Sequence, residues 1–156
     1  MEKTVKKFSK IFLEKIQNKK IHLISHNDTD GITSAVIFSK TLEKLSKQFS
    51  VKIIKQLTKE EIKLFPDDKI IILLDLGSGN LNQIIELKNE IFIIDHHETE
   101  KYNLPDNINI LNPHFLENYE NLCSAELAYL VSKEISRENK ELAHLAVLGM
   151  IGDTME

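Results

Sequence analysis

The chain has 156 residues, of which 42% are hydrophobic and 28% are charged, and its formal net charge is −4. These values are typical of one soluble globular domain with a buried core, and no apolar run approaches the roughly 20 residues that a membrane-spanning helix needs. The Lys-rich N-terminus lacks the apolar segment of a secretory signal. The single Cys123 excludes an internal disulfide and a cysteine-based zinc site. We therefore predict a cytoplasmic protein.

The charge is divided unevenly along the chain. Residues 1–69 carry 15 Lys and 9 Asp or Glu, a balance of +6, whereas residues 70–156 carry 5 Lys or Arg and 15 Asp or Glu, a balance of −10. The basic N-terminal part could meet an anionic partner, or it could simply be the solvated face of a helix. Part of the acidic excess lies in the cluster described below, where bound cations would offset it.

Helical and strand patterns alternate along the sequence. The predicted strands cover residues 21–24, 51–54, 69–74, 91–94 and 108–111, and the predicted helices cover 4–17, 32–47, 81–88, 124–136 and 141–151. A further short helix is predicted to begin at a capping box over 58–61 and to end before Pro66. Ser124 is predicted to cap the helix over 124–136. The last helix is apolar enough to be buried, and Gly152 is expected to end it. The alternation predicts an α/β fold, a mostly parallel central sheet flanked by helices, in a single domain over 1–156.

Four of these segments are followed directly by acidic or imidazole side chains. These are His26, Asp28 and Asp30 after the first strand, Asp75 after the third, His96 and His97 after the fourth, and Asp153 after the last helix. Each alone could be a turn or a helix cap. Because ligands of parallel α/β sheets bind beyond the carboxyl ends of the strands, we expect these side chains to meet at one edge. So many anions would repel one another strongly unless cations lay among them.

The types of the candidate ligand residues restrict which metal ions could bind. Carboxylates with some imidazole and no thiolate suit Mn²⁺ or Mg²⁺, with Co²⁺ or Zn²⁺ as replacements. This many ligands favours two ions about 3.5–4 Å apart, an arrangement typical of hydrolases that act on phosphate esters and anhydrides. The helix that begins near Gly31 would also direct main-chain amides to the site, where phosphate is favoured. His22 and His144 lie inside apolar patterns and are expected to be ordinary core or surface residues.

Four motifs in order carry a resemblance to a known family. They are Ser25-His-Asn-Asp-Thr-Asp-Gly31, Leu74-Asp75, Asp95-His-His97 and Gly149-Met-Ile-Gly-Asp153. The chain resembles the DHH phosphoesterases, which include RecJ-type exonucleases, phosphodiesterases of nanoRNA and cyclic dinucleotides, and manganese pyrophosphatases. The resemblance covers nearly the whole chain and is greatest to the archaeal RecJ-like nucleases. It implies a Rossmann-like DHH domain.

The resemblance also implies a role for each motif residue. One Mn²⁺ would be bound by His26 and Asp28, and a second by Asp30, His96 and Asp153. Asp75 would bridge the two ions, for which Mg²⁺ or Co²⁺ could substitute. His97 would contact the scissile phosphate and assist as an acid while water attacks phosphorus in line. Asp95 would support an imidazole from behind, and Gly31 and Ser124 are candidate phosphate-binding residues.

One part of the family pattern is missing from this sequence. Family members carry a second, C-terminal domain with a Gly-rich phosphate-binding motif and basic residues, across a cleft from the metals. The present chain includes none of it. We therefore expect either a fragment of a longer protein or a catalytic half whose second domain is a separate chain. Replisome proteins are further candidate partners.

Three functions remain open at this point. The first is the catalytic half of a Mn²⁺-dependent nuclease that degrades single-stranded DNA or RNA in replication or repair. The second is a phosphodiesterase or phosphatase for short oligonucleotides, pAp-like nucleotides or pyrophosphate. Pyrophosphate is the least expected, since the first motif reads Asp-Thr-Asp-Gly where those enzymes resemble Asp-x-Asp-Ser. The third is a non-catalytic replication scaffold, although such relatives have lost metal ligands and every ligand position is filled here.

Overall fold

The sheet has five strands, and all of them are parallel. The computed structural model describes residues 1–100, 102–116, 119 and 121–154. In chain order the strands are β1 (Lys20–His26), β2 (Phe49–Ile54), β3 (Lys69–Leu74), β4 (Ile91–Ile94) and β5 (Ile108–Leu111). They lie side by side in the order β2-β1-β3-β4-β5. The predicted α/β fold with a central parallel sheet is confirmed.

Helices cover both faces of the sheet. They are α1 (Glu2–Lys15), α2 (Thr29–Lys44), α3 (Lys59–Lys63), α4 (Leu81–Ile84), α5 (Ser124–Ile135) and α6 (Ala143–Asp153). Short 3₁₀ turns occupy Ser78–Asn80, Pro113–Phe115 and Arg137–Leu142. In the part of the chain that the structure describes, no helix is both long and apolar enough to cross a bilayer.

The central strand β3 shows why the sheet is covered on both sides. Its residues alternate between two apolar clusters, with Ile70, Ile72 and Leu74 in one and Ile71 and Leu73 in the other. The first cluster includes side chains of α1, α2 and α5, and the second includes side chains of α3 and α4. A strand buried on both faces reads as a continuous apolar run, which is why the sequence predicted it well.

The strand order places a switch point between β1 and β3. From β1 the chain crosses to β2 on one side, and it then returns to β3 on the other side. Loops that diverge from two adjacent strands leave a crevice between them at the carboxyl edge, where ligands of such sheets bind. His26 ends β1, and Asp75 follows β3 directly, so both lie at this crevice.

Several helix boundaries differ from the sequence-based prediction, and those of α2 and α4 differ most. Helix α2 begins at Thr29 rather than at residue 32, because Asp28 caps it by accepting a hydrogen bond from the Gly31 amide. The helix predicted over 81–88 begins at Leu81 as expected but is shorter, because α4 ends at Ile84. Asp30 and Gly31 are therefore in the first turn of a helix and not in a loop.

Helix α6 departs further from prediction. It was expected to be buried, but Val147, Leu148 and Ile151 are 50%, 54% and 52% exposed. Gly152 was expected to end it, but the helix continues through this glycine to Asp153. The reason is close packing on α2, because a Cβ on Gly152 would lie 2.3 Å from the Cβ of Thr29. Periodicity had identified an apolar helix correctly but could not show that one of its faces is uncovered.

Candidate metal centre

The turn from β1 to α2 holds the first part of the site. The Nδ1 atom of His26 is hydrogen-bonded to Oδ2 of Asp28, while Oδ1 of Asp28 accepts from the Gly31 amide at 2.7 Å. The hydroxyl of Ser25 donates to the Gly31 carbonyl oxygen at 2.7 Å. A Cβ at position 31 would lie 2.4 Å from the carbonyl oxygen of His26, so only glycine permits this turn.

Asp30 connects the site to helix α5. It is buried, and its two carboxylate oxygens each accept one main-chain amide, from Ser124 and from Ala125, both at 2.8 Å. Negative charge is favoured at a helix N-terminus, so α5 stabilises this buried carboxylate. Asp30 and the start of α5 thereby fix each other's position.

Asp75 lies at the centre of the candidate site. It is 1% exposed and has a left-handed backbone conformation with φ +57°. Its Oδ1 accepts from the hydroxyl of Ser124 at 2.9 Å and lies 3.5 Å from Nε2 of His96. Its Oδ2 lies 3.5 Å from Nδ1 of His26 and accepts no hydrogen bond from any residue that the structure describes. A buried carboxylate oxygen without a partner indicates that a ligand is needed there.

The remaining ligand candidates surround the imidazole of His96. Its Nε2 lies 3.4 Å from Oδ1 of Asp153 and 3.8 Å from Oδ2 of Asp30. Three groups of side chains could each hold a metal ion: His26, Asp28 and Asp75; Asp30, His96 and Asp153; and Asp75, His96 and His97. The carboxylate of Asp75 therefore faces both of the predicted ligand sets.

The pKa values of the site carboxyl groups are shifted because these groups are buried and charged groups lie close together. Burial, and then the proximity of Asp30 and Asp28, raise the pKa of Asp75 from 3.8 to about 10. Burial would also raise the pKa of Asp28, but the hydrogen bond from the Gly31 amide and the neighbouring His26 imidazole hold it below its usual value. Without cations, the cluster thus keeps a proton on its central carboxyl group.

The second histidine of the triplet has a different environment. The Nδ1 of His97 is hydrogen-bonded to Oδ1 of Asp95 at 2.6 Å, and Asp95 also accepts from the Ser78 amide at 2.8 Å. The bond to Asp95 raises the pKa of His97 above 6.5, against an opposing effect of burial. Burial would raise the pKa of Asp95, yet the bonds from His97 and Ser78 lower it. Such a pair holds the imidazole in one orientation and favours its protonated form.

The predicted site residues can now be placed. All six predicted metal ligands lie in two of these groups, one that contains Asp75 and one whose His96 lies 3.5 Å from Oδ1 of Asp75. The two candidate phosphate-binding residues are already engaged, because the Gly31 amide bonds Asp28 and the buried Ser124 hydroxyl bonds Asp75. His22 bonds the Ser50 hydroxyl and His144 bonds the Glu141 carbonyl, and neither belongs to the three groups.

Other residues of the site were not predicted. A cleft of about 250 Å³ beside His26, Asp75 and His97 is also lined by Lys55 and Asn80. Asn112 follows β5 directly, is buried and donates to the main-chain carbonyl oxygen of His97 at 2.9 Å. The signal that could have identified Asn112 was its position directly after a strand, which is where the other site residues lie.

Comparison with known proteins decides the family. The family model described as "DHH family, N-terminal domain" matches residues 20–150. The chain belongs to the DHH family. The match contains the first three motifs complete and reaches into the fourth, so the resemblance on which the sequence analysis drew is confirmed.

Two curated relatives match almost all of the chain. An uncharacterized protein of Methanocaldococcus jannaschii is 33% identical over 162 residues, which covers 97% of this chain and 37% of the relative. A candidate single-strand DNA-specific exonuclease of the SPbeta prophage in Bacillus subtilis is 27% identical over 167 residues, with coverage of 97% and 29%. The DHH chain described here thus spans about a third of the length of each relative.

Solved structures show the same fold. An exonuclease RecJ bound to manganese superimposes with a TM-score of 0.80 at 21% identity, covering 96% of this chain and 43% of RecJ. CDC45 from Entamoeba histolytica gives a TM-score of 0.74 at 17% identity, with coverage of 96% and 34%. At such identities the likeness establishes the fold of this DHH domain and not its activity.

The close packing of α6 on α2 yields a first prediction. Because a Cβ on Gly152 would lie 2.3 Å from Thr29, Gly152→Ala should separate the two helices and lower the free energy of unfolding by about 1–3 kcal/mol. Asp153 is the next residue, so the substitution should also displace it from His96. The matched control is Gly79→Ala, whose Cβ would meet nothing within 4 Å. Thermal unfolding of both variants checks this, and equal stabilities would contradict it.

Proposed function

We propose that this DHH domain is the catalytic half of a two-metal phosphodiesterase, and most specifically of a RecJ-like exonuclease that acts on single-stranded DNA or RNA. The observation that carries the proposal is the position of Asp75, whose two carboxylate oxygens face two separate groups of ligand candidates. Paired sites of this kind are used in enzymes that displace groups at phosphorus.

The residues fit a pair of divalent cations. A cation bound at Asp75 would lower the pKa of this residue from about 10, and it would also give the buried oxygen that lacks a partner something to bind. Carboxylates with imidazole nitrogens suit Mn²⁺, and Mg²⁺ or Co²⁺ could replace it. His26 and Asp28 would hold one ion, Asp30, His96 and Asp153 the other, and Asp75 both. Bound there, the ions would activate water and neutralise charge on phosphate oxygens.

The protein's own groups would do the rest of the chemistry. Ser124 donates to Oδ1 of Asp75, and the amides of α5 fix Asp30, so these carboxylates are held in place before any ligand binds. We propose that Asp95 orients His97 and keeps it protonated, so that its Nε2 can donate to an oxygen of the scissile phosphate and then to the leaving group. Lys55 adds a positive charge to the same cleft.

The choice of a single strand as substrate comes from the Bacillus relative, which is named for that activity. Lys55 is the only Lys or Arg among the described residues that line the cleft. Binding of a long polyanion needs a basic groove with aromatic side chains, and most of such a groove must be supplied by another domain or by a partner chain. The second candidate, a phosphodiesterase for short oligonucleotides or nucleotides, is favoured by the small size of the cleft, about 250 Å³.

The exposed apolar face of α6 is a surface on which another domain could pack. Val147 and Met150 line an apolar groove with Tyr129 and Leu130 of α5. The relatives continue well beyond the matched region, since this chain covers only 37% and 29% of them. We propose that a substrate-binding domain with basic residues, on the same chain or on a separate one, packs on this face. Because α6 ends at Asp153, that domain would stand beside the metal centre and could grip the flanking nucleotides.

The proposal predicts how the 156-residue chain behaves alone. With Mn²⁺ it should hydrolyse labelled single-stranded DNA and RNA weakly or not at all, because lost binding energy from flanking nucleotides lowers turnover as well as affinity. A protein that carries the second domain should restore activity. The assay should include a dinucleotide and pyrophosphate, since preference for the dinucleotide would favour the small-substrate alternative. Processive degradation of a long strand by the lone chain would contradict the partner proposal.

A further inference from the structure

Two buried residues outside the ligand groups tie together the loops that follow β3, β4 and β5. Asn112, which follows β5, is 2% exposed. Its side-chain Nδ2 donates to the hydroxyl oxygen of Ser78 at 2.9 Å and to the main-chain carbonyl oxygen of His97 at 2.9 Å. One amide group therefore contacts both neighbouring loops.

Ser78 makes two further hydrogen bonds to the loop after β4. Its main-chain amide donates to Oδ2 of Asp95 at 2.8 Å, and its carbonyl oxygen accepts from the hydroxyl of Thr99 at 2.9 Å. The segment 95–99, which contains both histidines of the triplet, is thus held at its beginning and its end by Ser78 and near its middle by Asn112.

The orientation of the Asn112 amide is fixed by its surroundings. Its Oδ1 accepts from the main-chain amide of His114 at 2.9 Å, and its Nδ2 faces two oxygen acceptors. The opposite orientation would place an oxygen against the His97 carbonyl and leave buried groups unpaired, which costs about 1–3 kcal/mol for each group. The side chain is therefore a rigid connection.

We propose that Asn112 and Ser78 are positioning residues of the metal centre, which hold the main chain at His97 so that the imidazoles of His96 and His97 stay aimed at the site. The inference rests on the proposed function. Three carboxylate oxygens lie 3.4–3.8 Å from Nε2 of His96. The imidazole can bind the same ion as these carboxylates only if the main chain at His96 and His97 does not move. Residues that orient ligands in this way commonly change metal affinity or activity by about 10–100-fold.

Asn112→Asp tests the inference with almost no change in shape. The variant keeps an oxygen acceptor for His114 but loses both donated bonds, so Mn²⁺ affinity measured by calorimetry should fall by about 10–100-fold for the ion held by His96. Ser78→Ala, which removes only the hydroxyl, should have a smaller effect in the same direction. The matched control is Asn89→Asp, because Asn89 is also buried and donates to two carbonyl oxygens, but at the opposite end of the sheet. It should lower stability and leave Mn²⁺ affinity unchanged.

A second readout needs no metal. In the metal-free protein, amide hydrogen exchange over residues 95–99 should be faster in Asn112→Asp and Ser78→Ala than in Asn89→Asp. Unchanged exchange and unchanged Mn²⁺ affinity in Asn112→Asp and Ser78→Ala would overturn the inference. If the unmodified chain binds no Mn²⁺, the proposed function fails instead, and the exchange comparison still decides whether Asn112 and Ser78 hold the loop.

Discussion

Asp75→Asn should remove the binding of both ions, and it should abolish the Mn²⁺-dependent hydrolysis that we expect when the second domain is supplied. The two oxygens of Asp75 face different ligand groups, so one substitution disturbs both sites at once. Asparagine is preferred to alanine because the residue has φ +57°, a conformation that Asn adopts more readily than other non-glycine residues. The comparison is His144→Ala, an exposed histidine outside the site, which should retain the activity of the unmodified chain. Loss of activity in His144→Ala without unfolding would show that the site is misassigned.

The same Asp75→Asn variant should be more stable than the unmodified chain when metal is absent. Burial and two neighbouring carboxylates raise the pKa of Asp75 from 3.8 to about 10, so its contribution to stability declines as the pH rises between these values. A neutral amide does not have to take up a proton on folding, so the free energy of unfolding at pH 8 should rise by about 1–2 kcal/mol, or the melting temperature by about 2–8 °C. The gain should shrink as the pH falls below about 4, where the carboxyl group also becomes protonated in the unfolded state. A less stable Asp75→Asn protein at pH 8 would contradict the electrostatic account.

His97→Ala should separate chemistry from metal binding. The imidazole is bonded to Asp95, and it belongs neither to the group of His26, Asp28 and Asp75 nor to the group of Asp30, His96 and Asp153. Both ions should therefore remain, while the rate falls by about 10²–10⁴, the usual contribution of a general acid. Parallel measurement of Mn²⁺ stoichiometry and turnover makes the distinction. Loss of one ion would instead reassign His97 as a ligand, which the third group of Asp75, His96 and His97 would accommodate.

Much of the fold could be predicted from the sequence because its strongest patterns are local. The run Lys69–Leu74 is buried on both faces, so it reads as a parallel strand without knowledge of its neighbours. The motif residues follow strands directly, so parallel pairing alone places His26, Asp75 and His96 at one edge of the sheet. Thr58 also caps α3 as predicted, since a capping box needs only four consecutive residues.

The parts that were mispredicted depend on contacts between distant segments. Gly152 reads as a helix terminator, yet it lies inside α6 because Thr29 of α2 leaves no space for a side chain. Helix α6 is apolar on nearly all sides, and no local pattern distinguishes a buried face from one that awaits another domain. Ser124 was predicted to cap α5, but Cys123 is the N-cap and Ser124 is the first residue of the helix. The bonds of Ser124 to Asp75 and of Asn112 to His97 follow only from the packing of α5 and β5.

We propose that this domain binds two cations with Asp75 between them. The most direct test is a crystal of the chain soaked with Mn²⁺, with anomalous diffraction recorded at the manganese edge. The account predicts two peaks about 3.5–4 Å apart, one beside His26 and Asp28 and the other beside Asp30, His96 and Asp153, with Asp75 contacting both. A single peak, or two peaks with Asp75 bound to neither, would contradict it.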